Sequence, residues 1–170
     1  MNYQLFIPPE TISQKDPKSW SLREAELYFN WLVSSVESRL NMLGAYLGVE
    51  IKKDENGLAT AAEKAASSLM NTPFSDSGNL TNAGFALSAD LGILIAECLL
   101  TSFPGKLRWE ILRQKKVDLS YNRPVIQGFS SGLYLDPIHI SINQARRVIA
   151  KTHGFETYLE TYRYWCSRAV

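Results

Sequence analysis

The sequence predicts a helix-rich α+β domain with a small antiparallel sheet of about three strands, packed on a central apolar helix. Three observations lead to this prediction. Apolar residues recur at helical spacing through residues 21–102, they alternate with polar residues between 107 and 129, and helical spacing returns after residue 140. Because helices and strands occupy separate stretches, an α+β class is favoured over an alternating, parallel α/β fold. The length suits one globular domain over residues 1–170.

The residues before the first helix are extended. Tyr3–Ile7 is a short strand-like run, and three prolines up to Pro17 keep the chain extended or turning. Ser21 and Glu24 then form a capping-box pattern. One apolar face follows at steps of three and four residues and predicts a long amphipathic helix: Ala25, Phe29, Leu32, Val36, Leu40, Leu43 and Leu47.

Two further helices are predicted before residue 103. Residues 59–70 are small and rich in alanine, which suits a helix that lies close to its neighbour. Asn79 or Thr81 can cap a third helix that runs to about Ser102. Its stretch Leu91–Leu100 is apolar on nearly all sides, which is typical of a central helix.

The stretch Ala83–Leu100 has about the length of a short membrane span. However, Asp90 and Glu97 would each cost roughly 2.5–3.5 kcal/mol at the centre of a bilayer, so we expect a buried core helix and no membrane. The N-terminal sequence has no basic region, and its apolar run ends at Pro8, unlike a secretory signal. We therefore expect a cytoplasmic protein.

After residue 105 the pattern changes to that of strands. Two alternating runs, 107–111 and 117–121, and the run Pro124–Phe129 predict the three strands of the sheet. A second capping box at Ser141–Gln144 predicts a helix to about Lys151. An aromatic-rich helix over Phe155–Cys166 follows it.

The charges of the chain are unevenly distributed. The formal net charge is +1, but residues 1–100 carry 7 basic and 12 acidic side chains, whereas residues 101–170 carry 11 and 5. A near-neutral total disfavours binding driven by a global field, as on nucleic acid or an anionic membrane. No HExxH, CxxC, P-loop or GxGxxG pattern occurs, so no metal or cofactor is expected.

A cluster of basic residues is the first candidate site. Its cations are interleaved with Trp109 and Tyr121, and such a strip can bind an acidic protein surface or, less favourably here, single-stranded nucleic acid. Lysine and arginine that keep a sheet edge soluble give the same pattern. The predicted contact residues are Lys106, Arg108, Arg113, Lys115, Lys116 and Arg123.

Two carboxylates on the third helix are the second candidate site. Asp90 and Glu97 lie two turns apart, so both can point from one side of an otherwise apolar helix. With His139 they could bind a small molecule or act as an acid and base in a pocket between helix and sheet. Alternatively, each carboxylate forms a structural ion pair with a lysine or arginine from the basic second half of the chain.

Three stretches of the chain carry a resemblance to known proteins: Ala89–Glu97 (ADLGILIAE), Trp109–Ile111 and Tyr121–Phe129 (YNRPVIQGF). Their helix–strand spacing, Trp109 and an Asn-x-Pro-Val turn resemble small bacterial α+β proteins of uncharacterised families, some of which include immunity proteins that neutralise toxins. The resemblance covers about a quarter of the chain and assigns no functional residue. The lack of catalytic motifs, the uneven charge and the basic segment predict a non-catalytic protein–protein interaction domain, immunity or accessory in kind; the alternative is a ligand-binding domain or enzyme that uses the two carboxylates.

Overall fold

A computed structural model describes residues 3–12, 15–114 and 116–170. This part of the chain contains five α-helices and two antiparallel sheets of two strands each, which confirms the helix-rich α+β class. The elements are α1 (Leu22–Leu47), α2 (Glu55–Leu69), β1 (Ser75–Asp76), β2 (Asn79–Leu80), α3 (Asn82–Ser102), β3 (Arg108–Ile111), β4 (Pro124–Gln127), α4 (Pro137–Ile149) and α5 (Glu156–Ala169).

Helix α3 is the centre of the core, as its apolar sequence predicts. It contacts the other four helices, and Leu91, Leu94 and Leu99 are completely buried. By length and composition α3 could cross a membrane, but 78% of its most apolar window is buried inside the fold, as in the core helix of a soluble protein.

A glycine lets α3 and α4 approach closely. A Cβ at Gly92 would lie 2.4 Å from the carbonyl oxygen of Pro137, the first residue of α4. Since no side chain fits in this space, the start of α4 rests directly on the backbone of α3. This contact fixes the position of Asp136, the residue that caps α4.

The predicted starts of the helices differ in accuracy. Ser21 and Glu24 form the expected capping box, and Thr81 caps α3. Helix α4, however, begins four residues before Ser141, because Asp136 accepts a hydrogen bond from the backbone N–H of His139 at 2.9 Å. Ser141 lies inside this helix, where its hydroxyl donates to the carbonyl of Ser88.

The prediction of one three-stranded sheet is wrong. β3 and β4 pair as expected, with Trp109 opposite Ile126, but residues 117–121 form turns instead of a strand. The side chain of Asp118 accepts a hydrogen bond from the N–H of Ser120, which favours a turn, and the φ of 66° at Asn122 reverses the chain. A second sheet, the short hairpin of β1 and β2, forms between α2 and α3.

The strand-like run Tyr3–Ile7 does not join a sheet. Its carbonyl groups are bonded by a side chain: Arg39 of α1 donates to the carbonyls of Gln4 and Leu5 at 3.4 and 3.1 Å. The guanidinium group therefore takes the place that a neighbouring strand would occupy.

Candidate functional site

The basic segment, residues 106–123, comprises β3 and the connection to β4, and the N-terminal residues hold this connection in place. Asn122 donates from its amide to the carbonyls of Pro17 and Trp20, at 2.7 and 3.1 Å. Lys18 donates to the carbonyl of Val117 at 3.1 Å. These bonds join residues about a hundred positions apart, so the turns of the segment have a defined conformation.

The predicted contact residues of the segment have different surroundings. Lys106 and Lys116 are exposed, and neither forms an ion pair within the described part of the chain. Arg108 pairs with Glu110 on its own strand, while Arg113 bonds Asn122 and stacks on Tyr121. Two cations need separate mention: Arg123 is half-buried, and Lys115 lies outside the described residues.

Two apolar side chains lie exposed at the tip of the basic segment. Val117 is 86% exposed and Leu119 is 66% exposed, although their alternation with polar residues predicts that they face the core. Leu112, which enters the same connection, is buried. The tip of the segment thus presents aliphatic surface beside the unpaired Lys116.

Asp90 is a buried partner of an arginine. Its carboxylate accepts two hydrogen bonds of 2.7 Å from the guanidinium of Arg39 and a third from the Tyr3 hydroxyl. Burial raises the pKa of the Asp90 carboxyl to about 6, and the bonds from Arg39 and Tyr3 act in the opposite direction. The arrangement matches the structural ion pair that the sequence left open, with its cation from α1 rather than from the basic half.

Glu97 and His139 lie in separate surroundings. Glu97 accepts hydrogen bonds from Lys53 at 3.1 Å and from the indole of Trp109 at 3.3 Å. His139 lines a shallow cleft with Tyr134 and Trp165, among other residues, and neither Asp90 nor Glu97 contributes to that cleft. The structure therefore does not bring the three residues of the second candidate site together.

A different cavity lies between the N-terminal segment, α1 and the start of α4. It encloses about 210 Å³. We call it the Asp136 cavity; its main lining residues are Ile12, Trp20, Tyr28, Arg123, Asp136 and Ile138.

Three buried polar atoms belong to residues of the Asp136 cavity. They are the indole N–H of Trp20, Nε of Arg123 and Oδ2 of Asp136, and none of them has a hydrogen-bond partner among the described residues. Trp20 and Asp136 are each 92% buried. Buried polar groups are normally satisfied, so three without partners at one cavity single it out from the rest of the molecule.

The pKa of the Tyr28 hydroxyl is affected by two charged residues that line the cavity, Asp136 and Arg123. Burial raises the pKa of this hydroxyl, the Asp136 carboxylate raises it further, and the Arg123 guanidinium lowers it. The hydroxyl is therefore protonated at neutral pH and lies in the field of two opposite charges.

Sequence reasoning missed Trp20, Tyr28 and Asp136 as site residues. One signal was present for Asp136: an aspartate directly before Pro137 is typical of an N-cap followed by proline at the first helical position. Nothing in the sequence relates residue 20 to residue 136, because the fold alone brings them to one cavity.

Comparison with known proteins adds no assignment. No protein-family model, no curated protein and no solved structure matches the chain significantly. Among the described residues, no group of three His, Cys, Asp or Glu side chains is placed to hold a metal ion.

Proposed function

We propose that the protein is a non-catalytic, cytoplasmic interaction domain, immunity or accessory in kind, that binds another protein through the basic segment. One observation carries the proposal: Val117 and Leu119 are exposed at the tip of this segment, beside the exposed Lys116. Aliphatic side chains next to an unpaired cation fit a partner surface that offers an apolar contact and an acidic group beside it.

The defined conformation of the basic segment supports the proposed binding of a partner. Asn122 and Lys18 hold its turns, and the Tyr134 hydroxyl donates to Asp118 within it. A loop that already has its bound conformation loses less conformational entropy when a partner docks. Val117 and Leu119 are thus presented at little entropic cost.

The distribution of ion pairs also supports binding. Of the six ion pairs in the described part of the chain, only Arg163–Glu55 joins the acidic first hundred residues to the basic remainder. The basic excess is therefore left mostly unneutralised within the chain, and an external acidic surface can interact with it.

A protein partner is favoured over single-stranded nucleic acid. Recognition of single strands needs aromatic faces on which bases stack. Here Tyr121 is covered by the guanidinium of Arg113, and the half-buried Trp109 bonds Glu97. The exposed side chains at the tip are aliphatic instead, which suits contact with protein.

Capture from nuclease-treated lysate of the source cell, with the tagged full chain, tests the proposal. Two variants change the segment: Lys106→Glu/Lys116→Glu reverses its unpaired charges, and Val117→Ser/Leu119→Ser removes its apolar tip. We expect the wild-type chain to retain one stoichiometric protein that high salt releases, and both variants to lose most of it.

A matched control changes the net charge equally at another place. Arg146→Glu/Lys151→Glu alters two exposed cations of α4 and the turn that follows it. This control should retain the partner as the wild type does. Equal retention by all variants would show that the partner docks elsewhere, and capture that disappears with nuclease treatment would indicate nucleic acid.

A further inference from the structure

We infer that the Asp136 cavity binds a small zwitterion with an apolar body, of the kind represented by a free α-amino acid with a hydrocarbon side chain. The cavity lies outside the exposed tip of the basic segment, so this inference stands independently of the proposed partner contact.

The first step of the argument is the charge of the cavity. Arg123 provides a cation and Asp136 an anion, yet the two do not form an ion pair with each other. An isolated buried charge costs several kcal/mol, and a close pair would offset that cost within the chain. A ligand that carries both signs offsets it instead: its carboxylate accepts from Arg123 and its ammonium donates to Asp136.

The second step concerns the hydrogen bonds of Asp136. Its Oδ1 is occupied, because it accepts from the N–H of His139 at 2.9 Å and caps α4. Oδ2 has no donor among the described residues. A carboxylate that is fixed by one oxygen and unsatisfied at the other is oriented for a donor from outside, and an ammonium group supplies three.

The third step concerns the unsatisfied donors of the other residues that line the cavity. Nε of Arg123 and the indole N–H of Trp20 are both buried and lack an acceptor in the described part of the chain. Two N–H donors match the two oxygens of a ligand carboxylate. A buried donor that lacks an acceptor destabilises the protein, so a ligand that accepts from both donors removes two such costs.

The fourth step is the size and wall of the cavity. The volume of about 210 Å³ suits a molecule of amino-acid size, and it is smaller than the roughly 300–1,000 Å³ of sites for drug-sized ligands. Ile12, Ile138 and two aromatic rings, Trp20 and Tyr28, supply apolar wall. A hydrocarbon side chain gains free energy by contact with such a surface.

Binding requires a small movement of side chains. Each of the three unsatisfied atoms exposes less than 1 Å² to solvent. A change of rotamer must therefore open the way to them, and such changes are common when ligands bind. Lys15, a lining residue whose side chain is 51% exposed, is the most open part of the wall.

Titration of the ¹⁵N-labelled full chain with L-valine, L-leucine and L-phenylalanine tests the inference. The indole N–H signal of Trp20, assigned with Trp20→Phe, and the Nε–H signal of Arg123 report on the site directly. We expect at least one of the three amino acids to change the chemical shifts of both signals, and the change should saturate as its concentration rises. Two analogues of L-leucine each carry only one of its charged groups: 4-methylpentanoate lacks the ammonium, and 3-methylbutylamine lacks the carboxylate. Each should bind at least tenfold more weakly than L-leucine.

Variants test whether the changes in chemical shift arise from binding in the Asp136 cavity. Asp136→Asn and Arg123→Gln should each weaken binding at least tenfold, while Asp76→Asn in the exposed hairpin should bind as the wild type does. Amide spectra establish that each variant is folded. Trp20→Phe, which removes the indole donor and keeps a smaller aromatic ring, should also weaken binding.

Three results would overturn the inference. One is the absence of a saturable shift with all three amino acids up to about 10 mM. At that concentration even a site with a Kd of ~1 mM is largely saturated. The second is 4-methylpentanoate binding as tightly as L-leucine, since the site would then recognise an anion alone. The third is unchanged binding by Asp136→Asn, which would place the amino acid elsewhere.

Discussion

Asp90 and Asp136 are both buried carboxylates, but their surroundings are opposite. Asp90 accepts two bonds from Arg39 and one from the hydroxyl of Tyr3. Asp136 uses one oxygen to cap α4, and its other oxygen has no donor among the described residues. Each carboxylate lies near an arginine, yet only Arg39 forms an ion pair with its neighbour.

The protein itself supplies the partners of the Asp90 carboxylate, whereas one oxygen of the Asp136 carboxylate has no partner among the described residues. Removing a charge from water costs several kcal/mol, and a well-formed pair with further hydrogen bonds offsets that cost. At Asp90 the chain provides these partners itself, because the N-terminal segment, α1 and α3 meet there. At Asp136 the N–H of His139 offsets part of this cost, but Oδ2 has no donor among the described residues, so an external ligand has free energy to gain.

The largest expected effect is on Asp90. Asp90→Asn leaves the buried Arg39 without its counter-ion and should lower the free energy of unfolding by about 3–5 kcal/mol. Urea denaturation followed by circular dichroism measures it. The double variant Arg39→Met/Asp90→Leu, which removes both charges, should cost less than Asp90→Asn alone; an equal or greater cost would contradict the view that the loss comes from an unpaired charge.

The next effect is on Asn122, which anchors the wall of the Asp136 cavity. Asn122→Ala removes the amide donor from the Trp20 carbonyl and one of the two donors of the Pro17 carbonyl, which keeps its bond from the N–H of Trp20. It should lower the free energy of unfolding by about 1–3 kcal/mol. Asn122→Gly should cost about 1 kcal/mol less, because glycine adopts the φ of 66° without steric cost. Identical costs would show that backbone conformation is not part of the effect.

A smaller effect is expected at Asp136. Asp136→Asn keeps an N-cap but removes an uncompensated charge, so the free energy of unfolding should stay within about 1 kcal/mol of the wild type or rise. Asp54→Asn is the matched control, since Asp54 caps α2 in the same way at an exposed position. Asp136→Asn should be the more stable of the two variants. A loss of more than about 2 kcal/mol would mean that Oδ2 is already satisfied in the folded protein.

The smallest effect is expected at the tip of the basic segment. Val117→Ser and Leu119→Ser should each change the free energy of unfolding by no more than about 0.5 kcal/mol, because both side chains are already exposed. Leu112→Ala, at a buried position of the same connection, should cost about 2–5 kcal/mol. A large cost at position 117 or 119 would show that these side chains pack in solution and would remove the main support for the partner contact.

The helices show how much of the fold the sequence could predict. The capping box at Ser21 and the apolar face behind it define α1, and the apolar stretch of α3 indicates its central position. These signals are local, since capping and periodicity involve residues a few positions apart. The alternation at 117–121 was misleading because a turn bonded by Asp118 and the left-handed Asn122 outweighs a period of two.

The candidate sites could be predicted from the sequence much less well than the helices. The sequence located the basic segment and proposed either a pocket or an ion pair for Asp90, but it could not choose the partner, Arg39, from a helix about fifty residues away. It also could not relate Trp20 to Asp136. Such pairs depend on where whole helices pack, and no local pattern records that.

By itself, the sequence determined the helix-rich α+β class, the long capped first helix, the buried central helix and the concentration of positive charge after residue 100. Hydrophobic spacing, capping and composition act over one or two turns of chain, so they can be read along it. Only the tertiary structure decided which buried charges are paired and which are left unsatisfied. That outcome depends on the contact of Gly92 with the start of α4 and on the bonds between Asn122 and the N-terminal segment, which join distant residues.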